Sequence, residues 1–170
     1  MEDIITSVHI TLTLQILRYT SMNLKGVFSH ESDHWKTPKK LYDAFMSAGY
    51  TDPCPLHSKE DNLQTLYCQQ NLFINPPFSQ MSKWVDMAIQ CAIRGCRVWL
   101  LMPARTDTKY FKKLADFRCT IWFFTGRLHF NDGKNSAPFP TMLVYLQEDV
   151  LQNTFMHGSV EEFIRIYMED

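Results

Sequence analysis

The tetrapeptide Asn75-Pro76-Pro77-Phe78 sets a side-chain amide, a backbone carbonyl beside a proline pair and a flat aromatic face within four residues. Proline fixes its own φ and restricts the residue before it, so the stretch is stiff and extended. The amide oxygen of Asn75, the carbonyl of Pro76 and the ring of Phe78 together suit a planar exocyclic amine. Two acceptors on one NH2 group orient its hydrogens and leave the nitrogen lone pair facing an electrophile, which is catalysis by positioning rather than by a strong base. For adenine the electrophile would be an activated methyl group. In duplex DNA that amine is paired and stacked, so the base must be flipped out, with Phe78 replacing part of its lost stacking. A plain Asn-Pro-Pro turn is the competing reading.

Which elements hold these residues follows from the flanking pattern. Leu72 to Ile74 reads as a buried strand that delivers Asn75 to its end. Met81, Trp84, Val85, Ala88, Ile89 and Ala92 then fall on one stripe of a helix that Ser79 can cap and Gly95 can end. "RVWLLM" is a continuous apolar run that suits a strand covered on both faces, stopped by Pro103. Upstream, Thr37 reads as an N-cap and Pro38 as the first residue of a helix carrying Leu41, Phe45 and Ala48. A short strand at Tyr50-Thr51 ends at Asp52-Pro53. Downstream, Asp107 to Phe117 has helical spacing, "CTIWFF" reads as a strand, and "RLHF" with "TMLVYL" reads as an antiparallel end. Ser159 and Glu162 form a capping box for a last helix. Alternating strands and helices predict an open α/β sheet, with Asp52, Asn75 and Pro103 at the carboxyl ends where ligands bind.

Length and charge bound the function. A chain of 170 residues, 45% hydrophobic and 14% aromatic, builds one sizeable core rather than two. The N-terminal "IITSVHITLTLQIL" is too interrupted by polar residues for a signal peptide or a membrane span, and five cysteines suit reduced thiols in a cytoplasm. The net charge of -1 hides nine Lys or Arg against three Asp between Arg94 and Lys134. A polarised domain of that kind can hold a polyanion on one side. Ordinary solvated charge is the alternative.

Six blocks in order resemble the bacteriophage-type DNA N6-adenine methyltransferases, the phage Dam family: "SHESDHWKTPKKLYDAF", "DPCP" with "KEDNL", "NLFINPPFS", "LLMPARTDTKYF", "FFTGRLHF" and "APFPTMLVY". The resemblance runs from about Phe28 to Leu146. It implies a Rossmann-like class I methyltransferase, a compact three-layer sandwich whose mostly parallel sheet ends in an antiparallel strand. It implies methyl transfer from S-adenosylmethionine to the N6 amino group of adenine in DNA, in the cytoplasm of a bacterial host, with phage or prophage origin. Asn75, Pro76, Pro77 and Phe78 resemble the catalytic motif. Trp35, Thr37 and Pro38 resemble a segment that helps to hold the methyl donor; Asp52 and Pro53 resemble the strand-end acidic position beside it. Asp61 corresponds to a second acidic position on the donor's ribose or adenine.

The chain departs from the family between Asp52 and Asn75, where it is short, and it lacks the glycine-rich loop of many methyltransferases. A methyltransferase-fold protein that binds DNA or a partner with weak or absent catalysis is therefore the alternative; RNA or a protein glutamine are alternative acceptors.

For DNA, the expected contacts are Arg105, Thr106, Asp107 and Lys109 after the next strand, with Arg127 and Lys134 beside the loop "NDGKNSAPFP". A capped helix start is the competing reading for the first group. The recognition sequence is expected to be short, read by these loops or with a second subunit as a homodimer or accessory chain. Cys54, His57 and Cys68 lack a fourth ligand, so no metal is expected. Residues 1–21 match nothing in the family and read as an extension before a domain spanning 22–170; Met22 as the functional start is one reading, and the alternation in "VHITLTLQIL" equally allows an extra strand.

Overall fold

The computed structural model describes residues 35–54, 71–131 and 135–169. The apolar runs form a five-stranded sheet in the order β1-β2-β6-β3-β7, from β1 (Asn71–Ile74), β2 (Arg97–Pro103), β3 (Thr120–Phe124), β6 (Thr141–Leu146) and β7 (Thr154–Gly158). A separate hairpin pairs β4 (His129–Phe130) with β5 (Asn135–Ser136). Four helices complete the described chain: α1 (Lys39–Ser47), α2 (Met81–Ile93), α3 (Lys109–Phe117) and α4 (Val160–Tyr167). Among these residues no helix is long and apolar enough to cross a membrane.

Side chains alternate across the sheet, and each face finds its own cover. Leu72, Ile74, Val98, Leu100 and Met102 pack with Trp84, Val85 and Ala88 of α2 and Leu114 of α3. On the other face Phe73, Trp99 and Leu101 pack with Leu41 and Phe45 of α1 and Phe163 of α4. Phe45 stacks on Phe73 with centroids 4.1 Å apart. This is the expected three-layer α/β sandwich, and it explains why "RVWLLM" is apolar at every position after Arg97: six of the seven β2 residues are buried and Arg97 is the exposed one.

β1 runs parallel to β2, and β3 runs parallel to β7. β6 is the reversed strand, antiparallel to both of its neighbours. It lies inside the sheet, between β2 and β3, and not at its end as the sequence suggested. The end is β7, a five-residue strand whose alternate residues face solvent and which carries too few apolar side chains to be read from periodicity. "RLHF" does not pair with "TMLVYL" either. Its two strand residues pair with Asn135 and Ser136, and Asn131, which follows them, has a φ of 55°.

Other local expectations shift by a residue or change their agent. The strand at Tyr50-Thr51 is one bridge, Thr51 to Leu72, cut short by Asp52 and Pro53. Helix α2 is entered through a 3-10 turn over Phe78–Gln80, so Ser79 does not cap it. Helix α3 is capped by Thr108, whose hydroxyl accepts from Phe111 N–H at 3.3 Å, and Asp107 lies outside it. Gly49 and Gly95 follow α1 and α2 with φ of 79° and 85°, the left-handed stop that glycine accepts without strain. The capping box of Ser159 and Glu162 on α4 is complete in both directions.

Candidate active site

Because Thr51, β1, β2 and β3 share a direction, Asp52, Asn75, Arg105 and Arg127 all follow carboxyl ends on one edge of the sheet. Pro77 is extended at φ -56° and ψ 122°, and its carbonyl accepts from Gln80 N–H at 3.0 Å to start the turn into α2. Asn75 is thereby fixed between a buried strand and a buried helix.

Its carboxamide is held by the N-terminal segment. Nδ2 of Asn75 donates to the carbonyl of Trp35 at 2.6 Å and to Oγ1 of Thr37 at 2.9 Å. Oδ1 is buried and finds no donor among the described residues. A buried carbonyl oxygen without a donor costs roughly 1–3 kcal/mol, so this geometry is maintained against a penalty. Thr37 was expected to cap α1. The helix begins instead behind Pro38 without a side-chain cap, because the buried Thr37 hydroxyl is turned to Asn75.

An aromatic group closes around the motif. Trp35 lies nearly parallel to Phe78, at 6.5 Å between centroids and 15° between planes. Phe139 meets the edges of both, at 5.8 Å from Trp35 and 5.4 Å from Phe78. Phe130 does the same, at 5.5 Å and 6.4 Å. Neither Phe130 nor Phe139 was singled out from the sequence, although both sit in quoted blocks. A phenylalanine between two prolines in "APFP", echoing Phe78 after its own proline pair, was the available signal. Ala104 N–H donates to the Pro140 carbonyl at 2.9 Å and ties the Arg105 loop to the same block.

Beside Asn75 opens a pocket of about 400 Å³, lined by Trp35, Thr37, Tyr42, Asp52 and Cys54 together with Lys36, Lys39 and Asp43. That volume lies within the ~300–1,000 Å³ of small-ligand sites. Asp52 is half-buried and accepts from Cys54 N–H at 2.9 Å. Burial pushes its carboxyl up to about 6, with the Cys54 bond opposing. The Tyr42 hydroxyl is also raised, by burial first and then by Asp52 and Asp43. Lys39 pairs with Asp43 at 2.5 Å, so the site offers the Asp52 carboxyl beside an indole and a phenol, with both signs of charge around them.

Of the residues expected to take part, Trp35, Thr37, Asp52 and Asn75 meet in this pocket, and Phe78 joins them through the Trp35 ring. Pro38 and Pro53 flank it in the chain. Arg105, Thr106, Asp107 and Lys109 are exposed on the turn into α3, and Arg127 is exposed between β3 and β4. Asp61 and Lys134 lie outside the described residues, as do His57 and Cys68. No group of three His, Cys, Asp or Glu among the described residues could hold a metal.

The profile of the family described as DNA N-6-adenine-methyltransferase (Dam) matches residues 26–148. The chain belongs to that family. No curated protein matches the chain. Among solved structures it is similar to a predicted O-methyltransferase from Agrobacterium tumefaciens, at 16% identity and a TM-score of 0.39, over 61% of this chain. The chain spans about half of that structure, 49% of its length.

Proposed function

We propose that this Dam-family chain methylates the N6 amino group of adenine in DNA, using S-adenosylmethionine. The carrying observation is the fixed Asn75 carboxamide: its nitrogen is bound on the protein side, which leaves Oδ1 as the acceptor for an incoming amine. With the amine held by Oδ1 and the Pro76 carbonyl, its hydrogens lie in the plane of the acceptors and its lone pair is directed out of that plane. Phe78, backed by Trp35 and Phe139, offers the aromatic surface on which an extruded base regains stacking.

The pocket residues fit the methyl donor. Asp52 suits a positive charge of the donor, Lys36 and Lys39 suit its carboxylate, Trp35 and Tyr42 suit its apolar and aromatic parts, and the pocket adjoins Asn75. When bound there, S-adenosylmethionine supplies the electrophilic methyl group. Exposed Arg105, Lys109 and Arg127 rim the same edge and would meet phosphates, with Thr106 and Asp107 between them.

The test is to incubate the purified chain with S-adenosylmethionine and unmethylated double-stranded DNA, digest to nucleosides and look for N6-methyladenine by mass spectrometry. The modified base is expected with the native chain and not with Asn75→Ala. Absence of any methylated nucleoside from a chain that still binds DNA would replace this reading with that of an inactive DNA-binding relative.

A further inference from the structure

A carboxamide has two nearly isosteric orientations, and Asn75 can accept an amine in only one of them. A backbone carbonyl can only accept a hydrogen bond, so the Trp35 carbonyl at 2.6 Å decides the matter: Nδ2 must face it. Thr37 Oγ1, at 2.9 Å, adds a second partner on the same side. The orientation of the amide therefore depends on where residues 35–37 are held. These residues belong to no helix or strand.

They are held by Asn131. The Lys36 N–H, between the two groups that grip Asn75, donates to Oδ1 of Asn131 at 3.0 Å. The Asn131 N–H donates back to the Lys36 carbonyl at 3.2 Å. The exchange is a two-point pairing of one residue with another, made across 95 positions of sequence. The preceding Phe130 ring packs against Trp35 at 5.5 Å and closes the same contact from its apolar side. Asn131 can do this only from a left-handed backbone, φ 55°, which asparagine tolerates better than other residues with a Cβ. One residue type thus satisfies both demands, the turn and the side-chain acceptor.

We infer that Asn131 is a positioning residue: through the Lys36 peptide it fixes the Trp35 carbonyl and the Thr37 hydroxyl, and through them the orientation of the Asn75 carboxamide. The inference deepens the proposed function and rests on Asn75 as the amine acceptor. Asn131→Gly keeps the left-handed turn and removes the side-chain acceptor, whereas Asn131→Asp keeps both.

Two readouts separate this from a merely structural role. The first needs no activity: in a 15N-labelled chain the Asn75 side-chain NH2 signals, identified by their loss in Asn75→Asp, report directly on the two hydrogen bonds. Their solvent exchange is expected to accelerate at least tenfold in Asn131→Gly and to stay near native in Asn131→Asp. Unchanged exchange in Asn131→Gly overturns the inference. The second is kinetic, at saturating S-adenosylmethionine and DNA: Asn131→Gly lowers kcat at least tenfold with DNA affinity within twofold of native, and Asn131→Asp restores it. A loss in DNA affinity with kcat intact also overturns it. If the native chain methylates no adenine while its Asn75 amide is protected in the Asn131-dependent way, the functional reading fails and the positioning role stands.

Discussion

At the scale of single residues, the site turns on which polar atoms are spent on the protein and which are kept for a ligand. Thr37 illustrates the choice, since its hydroxyl binds Asn75 rather than capping α1. Thr37→Val removes that acceptor at nearly constant shape and leaves Nδ2 with the Trp35 carbonyl alone. The expected cost is about 1–2 kcal/mol in transition-state stabilisation, roughly a tenfold lower kcat, with rescue by Thr37→Ser, measured by single-turnover methylation. Asp52 gives a pH signature. Its folded carboxyl titrates near 6, above its ordinary value, so the folded state holds the proton more tightly than the unfolded chain. The ligand-free protein must then lose stability as pH rises from about 4 to about 6, by about 1–3 kcal/mol once partial exposure is discounted. Asp52→Asn should flatten that slope in urea titrations at several pH values. A cationic ligand works the other way, favouring the carboxylate, so S-adenosylmethionine affinity should strengthen as pH passes upward through 6. Calorimetry at pH 5 and pH 7.5 checks it, and a flat profile in the native chain would remove Asp52 from the donor site. The sequence exposed the four residues of the motif because proline pairs are stiff wherever they occur. It hid Asn131 and the redirected Thr37, because both act through partners 95 and 38 positions away.

At the scale of elements, what could be read tracks how much apolar surface each element buries. β1, β2 and α2 are covered enough for periodicity to announce them, and their residue stripes are the ones found in the core. Edge strand β7 has half-exposed and exposed residues up to Gly158 and leaves no pattern to read, while the two-residue strands of the hairpin are too short for periodicity to name their partner. Yet β7 positions α4 through a close contact that is testable. A Cβ on Gly158 would meet Cζ2 of Trp122 at 2.4 Å and Oε2 of Glu162 at 2.8 Å. The Trp122 ring is packed against Phe163, and the Glu162 carboxylate is half of the capping box, so neither yields cheaply. Gly158→Ala is expected to destabilise the fold by about 1–3 kcal/mol, while Ser159→Ala, which loses the cap alone, costs about 1 kcal/mol. Thermal melts of the two variants rank them. An alanine variant as stable as native would mean that Trp122 or α4 moves freely, contrary to the packing of β7.

At the scale of the whole molecule, topology divides a scattered charge pattern between the two ends of the strands, with Arg97 and Arg118 at the amino ends of β2 and β3. Nine basic residues between Arg94 and Lys134 look unremarkable in a chain of net charge -1, yet the shared direction of β2 and β3 delivers Arg105 and Arg127 to the edge that holds Asn75. β7 runs the same way and brings Glu161 and Glu162 to the far end of that edge, where Lys40 pairs with Glu161. On the proposed function, a duplex seated on this edge would meet Arg105 and Arg127 over β2 and β3, while Glu161, paired with Lys40, would repel it little. Not every lysine contributes: Lys112 and Lys113 are paired with Asp116 and Asp86 on the α2 and α3 surface. The consequence is quantitative, because each phosphate contact releases about one counterion on binding. Arg127→Ala and Arg105→Ala should each lower the slope of log affinity against log salt by about 1, and weaken binding about equally on all DNA sequences. Lys112→Ala should leave the slope unchanged. Fluorescence anisotropy with a short duplex across a salt series reads all three. If Lys112→Ala lowered the slope and Arg127→Ala did not, the duplex would lie across the α2 and α3 face and not along the edge that holds Asn75.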